Sequence, residues 1–344
     1  MLLPLLLVVA SFALCAWLTG QIRTYAIHKR VIDLPNERSS HHVPTPRGGG
    51  IAIAVTVIAS LLSAAAAGWV NQSEALALAA GGALVAAIGL VDDIWALRRR
   101  WRLLGHFAAA ALVLGWAGGF PPVAVLDVSI EPGLATSLLA AVYIVWMINL
   151  TNFMDGIDGV AATEVVVVAG CGAALCAVAV PGGAGWLAPL LLAAAAAGFL
   201  VWNWPPARIF MGDSGSGFLG LALAALSIHA AAAAPPLFWS WVILLGVFVV
   251  DATVTLARRA ITGQRIFDAH RTHAYQHAAL RFGSHRAITI VAALITLFWL
   301  LPLAAAVAIE TIDGFVGVLV AYAPLTVLAL RLDAGHTYNY GQLP

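Results

Sequence analysis

Carboxylates at the ends of apolar runs are the first chemical signal in this chain. Asp92 and Asp93 directly follow Gly89-Leu90-Val91. Asp155 and Asp158 lie in Asn149-Leu150-Thr151-Asn152-Phe153-Met154-Asp155-Gly156-Ile157-Asp158-Gly159. Asp213 lies in a stretch that runs from Asn203 through Arg208 and Gly212 to Ser214-Gly215-Ser216-Gly217. Carboxylates gathered together repel unless a cation or a proton neutralises them. Oxygen-only donors suit Mg²⁺, which binds one or two carboxylates plus substrate phosphates. These stretches contain no His or Cys, so zinc fits poorly.

Each piece also has a purely structural reading. Asp92-Asp93 could be a solvated helix end balanced by Arg98, Arg99 and Arg100. The Asn-x-x-Asp-Gly string could be a turn, and Gly212-Asp213-Ser214 a helix start. No structural rule requires all three at one membrane depth, so their joint occurrence reads as a site. The segment 258–286 adds Arg258, Arg259, Arg265, Arg271, Arg281 and Arg286, with His270, His273, His277 and His285. These are donors for phosphates, or a solvated basic loop beside anionic headgroups. Gly48-Gly49-Gly50 beside Arg47 reads equally as close helix packing or as backbone open to a phosphate. Asp251 and Glu164 fall inside apolar runs, where pairing with an arginine and a functional role weigh the same. His106 and His229 read as hydrogen-bonded structural residues.

The elements that must position these residues are membrane spans. Of 344 residues, 62% are hydrophobic and 10% charged, against about 25% charged in soluble chains. Too few charges remain to coat a soluble core, which excludes a soluble enzyme, a disulfide scaffold and a nucleic-acid binder. The net charge of +1 offers nothing to a polyanion, and the three cysteines sit in apolar runs with no metal spacing. Eleven runs approach the roughly 20 residues a bilayer requires. They cover 2–20, 48–69, 75–91, 103–119, 134–151, 160–180, 185–204, 216–234, 237–257, 287–307 and 314–331. With the N-terminus outside, all 17 Lys and Arg fall in or beside inner segments, and the C-terminus is cytoplasmic. The expectation is an all-α integral membrane protein with about 11 transmembrane helices, forming one multi-span domain over 1–344. Its inner loops 21–47, 92–102, 152–159, 205–215 and 258–286 form the catalytic face. A cation-coupled transporter is the rival class, disfavoured because the acids cluster on one face without an inverted repeat.

Four strings resemble the polyprenyl-phosphate N-acetylhexosamine-1-phosphate transferases, glycosyltransferase family 4. They are Asp33-Leu34-Pro35-Asn36-Glu37-Arg38 through Pro46-Arg47-Gly48-Gly49-Gly50, Val91-Asp92-Asp93, Asn149 to Gly159, and Phe210-Met211-Gly212-Asp213 to Gly220. The similarity runs in order over about residues 31–286. The last inner loop departs from the compact histidine string of many members. It reads Asp268-Ala269-His270-Arg271-Thr272-His273-Ala274-Tyr275-Gln276-His277, as in the O-antigen-initiating subgroup. That spread argues against the alternative, the phospho-N-acetylmuramoyl-pentapeptide transferase of peptidoglycan synthesis.

The resemblance implies transfer of N-acetylhexosamine-1-phosphate from a UDP-sugar to undecaprenyl phosphate, with release of UMP. It implies Mg²⁺, with Mn²⁺ as a substitute. Asp213 would be the leading metal ligand, with Asp93 and Asp155 completing the set. Asp92 and Asp93 would partner the metal or the lipid phosphate, and a base role is open to one of them. Asn152, Asp155 and Asp158 would shape the nucleotide site. Arg271 and His273 would hold the diphosphate, with His277 the next histidine in line. Arg47 would hold the lipid phosphate, and Asn203 would support Asp213. The implied setting is the bacterial inner membrane, in lipopolysaccharide O-antigen or other cell-envelope synthesis. The implied partners are UDP-N-acetylhexosamine, undecaprenyl phosphate, the lipid bilayer and a second copy in a homodimer.

Overall fold

The computed structural model describes residues 2–35, 43–126, 128–265 and 270–336. Part of the first motif (Asn36 to His42), Asp127 and the segment 266–269 lie outside the described residues. The chain is a bundle of helices: α1 (Leu2–Lys29), α2 (Gly50–Ala66), α3 (Gln72–Trp95), α4 (Arg99–Ala117), α5 (Leu134–Met154), α6 (Val160–Ala179) and α7 (Leu187–Asn203). It continues with α8 (Asp213–Ala233), α9 (Pro236–Leu244), α10 (Gly246–Ile261), α11 (Ala274–Phe282), α12 (His285–Ile295), α13 (Leu301–Ala308) and α14 (Gly314–Arg331). Two short antiparallel ribbons complete it: β1 (Ile32–Asp33) with β2 (Thr45–Pro46), and β3 (Val123–Val125) with β4 (Val128–Ile130). In lipid the backbone must satisfy its own hydrogen bonds, and helices do so within one segment.

Every apolar run expected to span falls on a helix or a pair of helices. Seven spans are long and apolar enough to cross a membrane by themselves, and one bent pair makes an eighth. Two further apolar helices, α2 and α7, are each 17 residues long. The remaining run, α4, begins with Arg99, Arg100 and Arg102. The ninth run is not the straight span expected. Its halves, α9 and α10, meet at 68° around Leu245. The tenth run continues as one span through a π-helical turn, Thr296–Leu300, between α12 and α13.

The centre of the bundle is α8, with 83% of its most apolar stretch buried. It packs on α3 and α5, with α2 alongside. Small residues let these backbones approach, as expected where lipid supplies no hydrophobic drive between helices. A Cβ on Gly50 would stand 2.3 Å from the Gly215 Cα, and one on Gly89 would stand 2.5 Å from the Asp213 backbone. In contrast, α1 and α14 bury only 17% and 22% of their most apolar stretches, as befits helices at the lipid boundary. The cysteines Cys15, Cys171 and Cys176 are free and buried.

Candidate active site

Local chain geometry brings the separated acids together. The segment 46–50 lies against 210–211: Phe210 N–H donates to Pro46 O, Gly49 N–H to Phe210 O and Gly50 N–H to Met211 O, all at 2.8–2.9 Å. This pairing carries Arg47 to the start of α8. Gly212 precedes α8 with φ +79°, a conformation that disfavours any side chain. Having no side chain, Gly212 cannot cap the helix. The last turn of α3 does so instead: Asp93 accepts from Asp213 N–H (3.1 Å) and Ser214 N–H (3.3 Å). A carboxylate at a helix N-terminus satisfies orphan N–H groups and the helix dipole together.

Two arginines then neutralise the acids. Arg47 Nη2 lies 2.7 Å from Asp93 Oδ1 and 2.9 Å from Asp213 Oδ1. Arg102 Nη1 reaches Asp92 at 2.5 Å and Asp213 Oδ2 at 3.5 Å. Asp92 also accepts from Leu97 N–H, which closes the α3–α4 corner. Asp213 and Asp92 thus share Arg102, and Asn152 lines the same cleft as Asp213. Asn152 in turn donates to Ser216 Oγ. Asp155 is in the electrostatic reach of Asp213, Arg47, Asp158 and Asp93. Burial pushes its carboxyl up to about 8, Asp213 adds to that, and Arg47 pulls against it.

A cavity of about 460 Å³ opens among the segments that carry this cluster, lined by Asp158, Arg271, Gln276, His285, Thr45 and Phe210 among others. Three segments serve both places. Thr45 lines the cavity and Arg47 the acids; Asp158 lines it while Asn152 meets Asp213; Phe210 lines it three residues before Asp213. Asp158 is fixed by Ala207 N–H at its Oδ2 and by Thr289 Oγ1 at its carbonyl.

Several expected residues stand elsewhere. Asn203 is 3% exposed and its amide is spent on backbone: it accepts from Gly159 N–H and donates to Ile209 O. It clamps the turn after Asp158 to the approach to α8 and does not line the cavity. His277 donates from Nδ1 to Leu332 O, tying α11 to the chain after α14, so it too is turned from the cavity. His273 is 2% exposed, stacked on His270 at 5.0 Å and held by Asp251. The histidine that does line the cavity is His285, the first residue of α12. Arg102 was also missed as a site residue, because in sequence it is one of four arginines within five positions. Among the described residues no ion pair joins Asp251 to an arginine; it caps α11. Glu164, 1% exposed, has no ion-pair partner among the described residues. Gly49 and Gly50 are packing positions, against Phe199 and Gly215. His106 sits 3.5 Å from Asn149 in a cleft shared with Arg102, Asn152 and Asp213.

Residues 75–231, which hold all but the last two residues of α8 and all the clustered aspartates, match the model of glycosyl transferase family 4. The chain is 32% identical to the decaprenyl-phosphate N-acetylglucosaminephosphotransferase of Mycobacterium tuberculosis, over 79% of this chain and 75% of that protein. The chain belongs to glycosyl transferase family 4. A probable undecaprenyl-phosphate N-acetylglucosaminyl 1-phosphate transferase of Bacillus subtilis is likewise 32% identical, over 81% of this chain and 78% of that protein. A phospho-N-acetylmuramoyl-pentapeptide-transferase of Mycobacterium avium matches at 32% over a shorter 55% of this chain and 65% of its own. As a family 4 member this is a membrane-embedded phosphoglycosyl transferase, and the transporter reading falls away.

Proposed function

We propose that this family 4 transferase moves N-acetylglucosamine-1-phosphate from its UDP-sugar to a polyprenyl phosphate at the inner face of the bacterial inner membrane. The observation that carries the reading is the neighbourhood of two unlike half-sites. One is the aspartate–arginine cluster around Asp213; the other is the cavity with Arg271, His285 and Asp158. Two phosphate substrates repel, so positioning and charge neutralisation supply most of the catalysis. Arg47 and Arg102 meet the acceptor phosphate; Arg271 and His285 meet the nucleotide end. A lipid phosphate oxygen attacks the sugar-bearing β-phosphorus. The bond from that phosphorus to the bridging oxygen breaks, UMP leaves with the electron pair, and the sugar keeps its bond to phosphate.

The donor set fits Mg²⁺ in part. Among the described residues no three His, Cys, Asp or Glu converge as a ready cage. However, Arg102 Nη1 reaches both Asp92 and Asp213, which gathers two carboxylates of the hard-oxygen type Mg²⁺ takes with phosphates. Asp213 and Asp92 would hold the ion, while Asp93 is spent on the α8 cap and Arg47. When bound, Mg²⁺ would offset charge on the diphosphate. The longer match to N-acetylglucosamine-named relatives favours that sugar over the peptidoglycan precursor. The eleven-span topology with both catalytic half-sites cytoplasmic, the O-antigen role and a homodimer complete the proposal.

The test follows the β-phosphate. With ³²P at that position of UDP-N-acetylglucosamine, label should enter the organic phase with the lipid while UMP appears in water. Label left in water as UDP, with sugar lipid-linked, would overturn the reading.

A further inference from the structure

We infer that Asp251, inside the broken span, is a positioning residue for the nucleotide half of the site; the inference rests on the reading of the Arg271–His285 cavity above. A carboxylate buried at 6% exposure is costly unless fully hydrogen-bonded. Asp251 is fully engaged. Its Oδ1 accepts from His273 Nδ1 (3.1 Å), Ala274 N–H (3.0 Å) and Thr255 Oγ1 (3.1 Å), and its Oδ2 accepts from Tyr275 N–H (2.8 Å). It therefore caps α11 from another helix, as Asp93 caps α8.

What α11 carries shows why that matters. Tyr275 Oη donates to Phe153 O, two residues before Asp155. A Cβ on Gly156 would fall 2.1 Å from that same hydroxyl and 2.8 Å from Gln276 Nε2. The turn from Asp155 to Asp158 thus rests on the first turn of α11, leaving no room to shift independently. Arg271 precedes that turn and Gln276 lies within it, and both line the cavity. One carboxylate thereby sets Arg271, Gln276 and, through Tyr275, Asp158. It makes no bond to Arg47, Arg102 or Asp213. The bend at Leu245 separates α10, which bears Asp251, from the direction of α9.

The experiment uses the purified full chain in detergent, assayed with UDP-N-acetylglucosamine and undecaprenyl phosphate. Asp251→Asn keeps the shape but turns an amide N–H toward groups that are themselves donors. It should raise KM for the UDP-sugar about 10-fold or more and leave KM for the lipid within about 2-fold. Asp251→Glu, which keeps the charge, should recover part of that loss. A purely structural role would change both KM values together, or only Tm, and either result overturns the inference. If Asp251→Asn does not fold, Tyr275→Phe removes only the hydroxyl bond to Phe153 and should show the same one-sided rise; no rise there also overturns it. Arg271→Ala separates the two readings. If it leaves the UDP-sugar KM unchanged, the cavity assignment falls and this inference with it. If it raises KM while Asp251→Asn does not, only the inference about Asp251 falls.

Discussion

Arg47 holds two carboxylates through one nitrogen, yet the two acids do different work. Asp93 satisfies two backbone N–H groups at the α8 start, whereas Asp213 faces Arg102, Asn152 and Asp92. Replacing each by asparagine should separate folding from turnover. Asp213→Asn should keep Tm nearly unchanged and lose about 100-fold or more in kcat, without recovery at high Mg²⁺. Asp93→Asn leaves one α8 N–H short of an acceptor and should lower stability by about 1–3 kcal/mol. Thermal unfolding in detergent beside UMP-release rates reads both. Near-normal turnover in Asp213→Asn would remove that residue from the reacting centre.

At the scale of elements, the site depends on how closely three helices approach. Gly89 of α3 lies on the backbone of Asp213 and Ser214, and backbone cannot move aside as a flexible side chain can. Gly89→Ala should therefore cost about 1–3 kcal/mol by overpacking and displace Asp213 from Arg102. A lower Tm with a more than proportional loss of activity is expected; an unaffected enzyme would show that α3 and α8 have slack. This is also where legibility from sequence ends. The placement of Asp92, Asp93, Asp155, Asp158 and Asp213 at helix ends could be read because apolar runs stop there. Their counter-ions could not, since Arg47 and Asp213 are 166 positions apart and only the 46–50 and 210–211 pairing joins them. The bend at Leu245 was hidden for a related reason: hydropathy averages composition along a run and carries no direction. Asn203, His273 and His277 have site-like residue types, but the Asn203 amide is spent on backbone, and Nδ1 of His273 and of His277 is bonded to Asp251 and to Leu332 O respectively.

Across the whole molecule, helix direction ties the site to one end of the bundle. α3 ends at the aspartate cluster and α8 begins there, so the two run antiparallel. At about 1.5 Å per residue, the 21 residues of α8 extend about 30 Å, a full hydrocarbon thickness. In the proposed topology the hairpin β3–β4, which joins α4 to α5, lies across the bilayer from the α3–α4 corner, because α4 begins at that corner and runs away from it. All 17 Lys and Arg fall in or beside the segments assigned to the inner side, and the hairpin has none. The expectation is direct. In a background lacking Cys15, Cys171 and Cys176, Ser129→Cys should react with an impermeant maleimide added outside intact cells. Arg99→Cys should react only after the membrane is opened. Both positions are exposed, so lack of access to the thiol would not explain a failure. Labelling of both from the same side would mean that α4 does not cross, would change the parity of every later span, and would separate Asp92 from Asp213 across the membrane despite their contact.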